Sequence, residues 1–262
     1  MKILVCGKGG SGKSTVAALV SRELAKGGKK VLLVDADESN LGLSGLLGAG
    51  GSTLLMDAFG GRQGLKEKMK KTGLETPRPI LNQPFTPADI PAECKAEAQG
   101  VQMTALGKIR NLGEGCACMI GALAKRFLEN LKLAENEVCV LDMEAGVEHF
   151  GRGVGRNADL VLAVVDPSRE SVLLAQRMEQ MAAEAGVDVK FVVNRAGEAA
   201  AKVLADNLDA SRVAATIPDV EEIAIAGLSG EPFPGDVPGV EDVCSLIEEM
   251  AAQPRKAKMR LL

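Results

Sequence analysis

Aromatic side chains are scarce in this sequence: it has six phenylalanines among 262 residues and contains neither tyrosine nor tryptophan. The hydrophobic core must therefore be aliphatic, and we do not expect a surface on which the bases of a single-stranded nucleic acid stack. The formal net charge of −4 likewise provides no basic footprint for DNA. These two deficits predict a protein without a nucleic-acid partner.

Long apolar runs are also missing from the sequence. No stretch reaches the roughly 18 to 20 apolar residues that a membrane-spanning helix needs, and the start, MKILVCGKGG, is too short an apolar stretch for a signal peptide. We interpret the basic end, QPRKAKMRLL, as solvated. We therefore expect a cytoplasmic protein with no membrane partner, whose six cysteines are reduced and available as ligands rather than paired in disulfides.

Short runs rich in valine, isoleucine and leucine alternate with helical patterns. The runs are apolar on both faces, which is typical of central strands in a parallel sheet covered by helices; they are residues 2–6, 30–35, 138–142, 160–166 and 189–194. The pattern predicts helices at about 14–26, 119–134, 169–185, 198–208 and 240–252. The alternation predicts a doubly wound, mainly parallel α/β fold, with residues 1–262 as one domain. The segment 50–112, rich in glycine, lysine and proline, is interpreted as an insertion or partner-binding region within it.

A glycine-rich loop follows the first predicted strand and opens the first predicted helix. Its sequence, CGKGGSGKST, satisfies the phosphate-binding pattern G-x-x-x-x-G-K-[ST] from Gly7 to Ser14. The glycines let successive N–H groups point at phosphate oxygens, and the helix adds the positive end of its dipole. Lys13 is expected to hold the β- and γ-phosphates, and Ser14 to ligate Mg²⁺. The residues predicted to bind the nucleotide here are Gly9, Gly10, Ser11, Gly12, Lys13, Ser14 and Thr15.

Acidic residues lie at the ends of two further predicted strands. Asp35 and Asp37 follow the run LLV, and Asp142 follows the run VCVL. Carboxylates at the carboxyl ends of strands lie where an open α/β sheet binds its ligands, although a single aspartate there can also serve as a helix N-cap. Three elements of a phosphate site at the ends of three strands favour the binding role.

A second lysine, Lys8, makes the loop K-G-G-x-G-K-S-T, which resembles the deviant Walker A loop of the P-loop family that includes nitrogenase iron protein and the MinD and ParA ATPases. The resemblance implies an ATP-dependent homodimer in which Lys8 reaches across the interface to the partner's nucleotide, so Lys8 and Lys13 are both catalytic candidates. It also implies that residues 32–40 contain the first switch, in which Asp37 orients or activates the attacking water and Asp35 supports the metal shell. Many members of the family have proline after the second aspartate, where this sequence has Glu38.

The same resemblance assigns roles further along the chain. It implies that Asp142, within the stretch 138–146, reaches Mg²⁺ through water, and that the Gly146 backbone senses the γ-phosphate as the second switch. Asn194, at the end of FVVN, resembles the residue that contacts the base, and the segment 216–222 resembles the loop that flanks it. A strand-ending asparagine is as often a turn residue, so the preference for ATP over GTP rests on the resemblance.

The six cysteines divide into two groups. Cys6 and Cys139 lie inside predicted strands and are interpreted as small buried hydrophobes, whereas Cys94 and Cys244 are isolated and are assigned structural or incidental roles. The remaining pair, Cys116 and Cys118, lies in the glycine-bearing stretch GEGCAC before a predicted helix. A helix start favours the thiolate, and two soft donors suit Zn²⁺, Ni²⁺, Cu⁺ or an iron–sulfur cluster. From the pair alone, a ligand role and a plain loop both remain open.

Two-fold symmetry would supply the missing half of a tetrahedral metal site. If the chain forms a dimer with Cys116 and Cys118 near the axis, each pair meets its own copy and four thiolates surround one ion. Together with GEGCAC, the stretches GKGGSGKST, DMEAGVEHFGRG and VVDPSRES resemble the CooC-type nickel-insertion ATPases, with AcsF of acetyl-CoA synthase as a relative. The resemblance implies an ATPase that delivers Ni²⁺ (or Zn²⁺ at the same site) into apo carbon monoxide dehydrogenase or acetyl-CoA synthase.

Two other functions stay open at this point. A [4Fe–4S] reductase like nitrogenase iron protein would need a cysteine on each side of the second switch, and no cysteine occurs between Cys139 and Cys244. A positioning ATPase like MinD or ParA would bind membrane or DNA and would leave the C-x-C pair without a role. His149 is either a transient metal group or a loop histidine that is hydrogen-bonded near the second switch.

Overall fold

The computed structural model describes residues 1–39, 42–61, 64, 83–108, 118–147, 153–233 and 235–253. In this part of the chain, eight strands form one sheet in the order β3-β4-β2-β5-β1-β6-β7-β8. Neighbouring strands are parallel except β3, which is antiparallel to β4. The strands are β1 (Lys2–Gly7), β2 (Lys30–Ala36), β3 (Ala96–Ala98), β4 (Val101–Ala105), β5 (Glu137–Met143), β6 (Leu160–Val165), β7 (Asp188–Asn194) and β8 (Val213–Ile217).

The helices lie on both faces of this sheet. In the described residues they are α1 (Lys13–Lys26), α2 (Leu43–Leu46), α3 (Leu55–Ala58), α4 (Cys118–Asn130), α5 (Arg169–Ala185), α6 (Glu198–Asn207), α7 (Glu221–Ser229) and α8 (Val240–Ala252). Helix α5 shows why the boundaries fall where they do: Ser168 caps its first turn, and Gly186 ends it at a φ of +67°. Crossing a membrane takes a longer and more apolar helix than any found in these stretches.

Each face of the sheet has its own hydrophobic core, because the strands are apolar on both sides. On β1, Leu4 and Cys6 pack into the core beneath α4 and α5, while Ile3 and Val5 pack into the core beneath α1 and α8. The cores are mainly aliphatic. The largest fully buried aromatic residues are Phe59, Phe85, Phe127 and Phe191.

The structure confirms the doubly wound, mainly parallel α/β fold. Cys6 and Cys139 are buried in β1 and β5, as predicted, and Cys94 and Cys244 are buried as well. Strands β3, β4 and β8 were not predicted from the sequence. Two of them, β3 and β4, come from the segment 50–112, so the described part of this segment contributes an edge of the main sheet.

Candidate nucleotide site

The glycine-rich loop between β1 and α1 requires glycine at two of its positions, Gly7 and Gly12. Gly12 has a φ of +91°, and a Cβ built on it would lie 2.3 Å from Asn194 Nδ2. A Cβ on Gly7 would lie 2.5 Å from the Val164 carbonyl oxygen. No side chain caps the start of α1, so its first N–H groups are directed at the space that the loop encloses. This geometry forms an anion-binding site at a helix N-terminus.

Lys13 supplies the positive charge of this loop. Its side chain is only 6 % exposed, and its Nζ donates a hydrogen bond to the Lys8 carbonyl oxygen at 3.3 Å. The same carbonyl accepts the Ser11 N–H at 3.1 Å. The ammonium is therefore held beside the loop backbone, in position to pair with phosphate oxygens that enter the loop.

Asp142 ends β5 beside this loop and is fully buried. It lies in register with Asp35 on the neighbouring strand β2, and Ser14 Oγ donates a hydrogen bond to its Oδ2 at 2.5 Å. Burial raises the pKa of Asp142 to about 7; the Ser14 hydrogen bond lowers it in part, and the charge of Asp35 raises it further. Burial and the neighbouring carboxylate thus disfavour the charged form of Asp142 at this site.

This donor set fits Mg²⁺. A hydroxyl and a buried carboxylate are hard oxygen ligands, and a divalent cation would offset the burial and the Asp35 charge that raise the pKa of Asp142. Within the described residues, no set of three or more histidine, cysteine or carboxylate side chains is placed to hold a metal ion by itself. Mg²⁺ at Ser14 and Asp142 would therefore take its remaining ligands from phosphate and water, as it usually does in nucleotide sites.

The buried carboxylates predict an unusual pH dependence of stability for the nucleotide-free protein. The pKa of Asp142 is about 7 and that of Asp35 about 6 in the folded chain, against an ordinary value of 3.8. Between these values the folded state keeps protons that the unfolded state releases, so raising the pH across this window destabilises the fold. We expect a higher melting temperature at about pH 5 than at about pH 7.5, and a smaller difference in Asp142→Asn. Equal pH dependence in the two proteins would contradict this expectation.

The first switch contains three buried acidic residues: Asp35, Asp37 and Glu38 are 8 %, 7 % and 6 % exposed. Asp35 pairs with Lys108, whose Nζ lies 2.7 Å from Asp35 Oδ2. Burial raises the pKa of Asp35 to about 6, and the Lys108 ammonium limits this rise. Sequence reasoning missed Lys108, because its role depends on β4 lying next to β2.

The second switch touches the loop through its backbone. Gly146 N donates to the Gly7 carbonyl oxygen at 3.2 Å, and its φ of +105° belongs to a region that favours glycine. Ala145 Cβ would be 3.8 Å from a Cβ on Gly9. The Gly146 N–H is thus located at the loop, where a γ-phosphate could compete for it.

Lys8 pairs within its own chain. Its Nζ lies 3.1 Å from Asp166 Oδ2 at the end of β6, and Arg195 lies 3.9 Å from the same oxygen while also donating to the Gly10 carbonyl. Burial works to raise the pKa of Asp166, but hydrogen bonds from Ser168 and Lys8 outweigh it and hold the pKa below its ordinary value. Asp166 was not among the predicted site residues, although it belongs to the stretch VVDPSRES.

Asn194, the last residue of β7, is hydrogen-bonded to the backbone of the phosphate-binding loop. Its Nδ2 donates to the Ser11 carbonyl oxygen at 2.8 Å, and the side chain is 4 % exposed. Beside it lies a cavity of about 180 Å³, whose lining includes Thr15, Leu19, Pro218, Val220 and Phe233. The segment 216–222 thus borders this cavity, and base contact by Asn194 stays a prediction.

The predicted metal pair falls at the limit of the described residues. Cys116 lies outside them, as does His149, and Cys118 is the first residue of α4. The C-x-C site therefore stays a prediction, as do the nucleotide contacts of Thr15 and the other loop residues.

Comparison with known proteins agrees with this site. Residues 2–233 match the family model of the CobQ/CobB/MinD/ParA nucleotide binding domain. An uncharacterized ATP-binding protein of Methanocaldococcus jannaschii is 37% identical over 247 residues, covering 94% of this chain and 99% of that protein. The carbon monoxide dehydrogenase accessory protein CooC of Rhodospirillum rubrum is 32% identical over 222 residues, covering 76% of this chain and 80% of that protein.

A solved structure extends the agreement to the fold. The cell division ATPase MinD of Pyrococcus furiosus superposes with a TM-score of 0.65 at 19% identity, covering 95% of this chain and 98% of that one. Sequence match, fold and loop geometry lead to one conclusion. The chain belongs to the CobQ/CobB/MinD/ParA family of nucleotide-binding domains and is a P-loop ATPase.

Proposed function

We propose that the protein is an ATP-hydrolysing, nickel-binding maturation factor that delivers nickel into the metal cluster of carbon monoxide dehydrogenase or acetyl-CoA synthase. One observation carries the proposal: Cys118 begins α4, and Cys116 precedes it by two residues in the sequence, in a chain with a complete phosphate-binding loop. The similarity to the Rhodospirillum rubrum accessory protein supports this class of client. We assign the segment 50–112 to contacts with the client.

In this proposal, hydrolysis depends on how the protein positions the phosphates of ATP and the attacking water. Lys13 and the N–H groups at the start of α1 hold the β- and γ-phosphates of ATP, and Asp37 orients the attacking water. Ser14, and Asp142 through water, would hold Mg²⁺, which would neutralise charge on the phosphate oxygens. The Gly146 N–H senses the γ-phosphate.

The cargo site is shared between two copies of the chain. ATP draws the copies together, Lys8 reaches the partner's nucleotide, and the two thiolate pairs enclose one Ni²⁺ or Zn²⁺ ion. Hydrolysis then loosens the dimer and releases the ion to the client.

The described residues on either side of the C-x-C segment support coupling between the two sites. A Cβ on Gly107 would lie 3.3 Å from Ile120 Cδ1, so the end of β4 packs against the start of α4. Leu106 N donates to the Asp35 carbonyl oxygen at 2.9 Å. These contacts connect the strand that ends at the first switch to the start of α4, and on this proposal they couple the nucleotide to the cargo site.

Metal titration combined with sizing tests the proposal. With a non-hydrolysable ATP analogue, we expect a dimer that binds one Ni²⁺ or Zn²⁺. We expect Cys116→Ser/Cys118→Ser to lose the ion while keeping the analogue, because neither cysteine is among the predicted nucleotide ligands. Cys244→Ser is the matched control, since Cys244 is buried in α8.

Three results would contradict the nickel proposal. One metal per monomer in the double variant would refute the shared site. A brown iron–sulfur chromophore after anaerobic purification would favour the reductase. Stimulation of the ATPase by lipid or DNA without any dependence on metal would favour a positioning ATPase.

A further inference from the structure

Lys108 enters the nucleotide site from a strand that carries none of the predicted nucleotide ligands. It follows β4 by three residues, its side chain is 8 % exposed, and it lies between the two aspartates of the first switch. Its Nζ donates to Asp35 Oδ2 at 2.7 Å and to the Asp37 carbonyl oxygen at 2.5 Å. One buried ammonium therefore bonds a side chain and a main chain of the same switch.

These bonds close a ring around the peptide of Asp37. Asp35 Oδ1 accepts the Asp37 N–H at 3.1 Å, while Asp35 Oδ2 and the Asp37 carbonyl share the Lys108 ammonium. Both the N–H and the C=O of Asp37 are thereby fixed. Within the carboxylate of Asp37, Oδ1 accepts bonds from Ser39 N and Oγ at 2.9 and 2.7 Å. This arrangement leaves Oδ2 as the oxygen that can accept a water proton.

The support beneath Lys108 is rigid. Leu106 N bonds the Asp35 carbonyl at 2.9 Å, and the Leu106 carbonyl accepts the Met56 N–H at 2.9 Å. Gly107 is so closely packed that a Cβ there would lie 3.0 Å from Met56 Cε. The backbone of Leu106, two residues before Lys108, is thus bonded both to β2 and to α3, and this anchors the segment from which Lys108 reaches the switch.

We infer that Lys108 is a positioning residue for ATP hydrolysis. By fixing the peptide of Asp37, Lys108 holds in place the carboxylate that orients the attacking water. The inference rests on the proposed role of Asp37. Among the described residues, the hydrogen bonds and ion pairs of the Lys108 side chain go to Asp35 and Asp37 and not to the phosphate-binding loop. Its removal therefore affects the chemical step and spares the binding of ATP.

Steady-state kinetics of Lys108→Met test the inference. We expect kcat to fall by about 10- to 100-fold because the water is misplaced, while KM for ATP changes by less than about threefold. Lys108→Arg, which keeps the charge and the donors, should recover part of the loss. Lys30→Met is the matched control, because Lys30 is exposed at the opposite end of β2 and should behave as the wild type.

A double variant that combines Lys108→Met with Asp37→Asn separates this inference from the proposed role of Asp37. If Lys108 acts through Asp37, adding Lys108→Met to Asp37→Asn lowers kcat by less than about twofold further. Full additivity, a kcat within about twofold of the wild type in Lys108→Met, or a rise in KM that matches the fall in kcat would overturn the inference. Wild-type turnover in Asp37→Asn would instead refute the role of Asp37. Should methionine unfold the protein, Lys108→Gln is judged by the same criteria.

Discussion

Lys13→Met lowers ATP turnover by about 10²- to 10³-fold, the size expected when a buried group that stabilises transferred phosphoryl charge is lost. The site contains the buried carboxylates of Asp35, Asp37 and Asp142. Without the Lys13 ammonium, less positive charge offsets the repulsion between these carboxylates and the triphosphate. The affinity for ATP is therefore expected to fall together with the rate. Turnover and analogue binding should be measured at saturating Mg²⁺.

The control for this variant lies on the same helix. Lys26 is in the last turn of α1, and its Nζ pairs with Asp236 at 2.8 Å on the surface. Lys26→Met should leave turnover unchanged, because exposed ion pairs contribute little to stability. If Lys13→Met kept more than about a tenth of the wild-type rate, the loop lysine would not be the main phosphate ligand.

Gly12→Ala is expected to remove nucleotide binding and to destabilise the fold more than the same replacement at Gly28, a glycine of similar φ with open space around it. The new Cβ would lie 2.3 Å from Asn194 Nδ2, in a residue whose φ is +91°. The backbone strain alone costs about 1–2 kcal/mol. The clash comes in addition, and it displaces the side chain that braces the loop through the Ser11 carbonyl.

Gly28→Ala isolates the strain from the clash. Gly28 has nearly the same φ, +88°, but a Cβ there meets nothing within 4 Å. Both variants should lose stability in denaturant unfolding, with the larger loss in Gly12→Ala, and only Gly12→Ala should lose binding of an ATP analogue. If the two variants lost equal stability and both still bound the analogue, the Asn194 side chain would be able to move away from the new Cβ without disturbing the loop. That result would contradict the expected effect of the clash.

The sequence predicted the central strands well, for a physical reason. β1, β2, β5, β6 and β7 are apolar on both faces because helices cover both, and that pattern is local. β4 escaped prediction because Gln102 and Thr104 interrupt its apolar residues, and β3 has only three residues. The phosphate-binding loop was predictable, because its pattern occupies consecutive positions.

The missed site residues have a common cause. Lys108 and Asp166 gain their roles from partners far away in the chain, Asp35 and Lys8. Such pairs depend on which strands lie side by side, and no short stretch of sequence encodes that order. The base contact of Asn194 stays a prediction; what sequence reasoning did not anticipate is its bond to the Ser11 carbonyl oxygen of the loop.

The outermost strands restrict how two copies can associate. At one border, β3 offers only three residues and runs against its neighbour; at the other, β8 has five and follows an irregular pairing with β7. Short, irregular borders discourage the addition of a foreign strand. As far as the described strands extend, a continuous intermolecular sheet is therefore disfavoured, and contacts between two copies are expected at loop and helix surfaces.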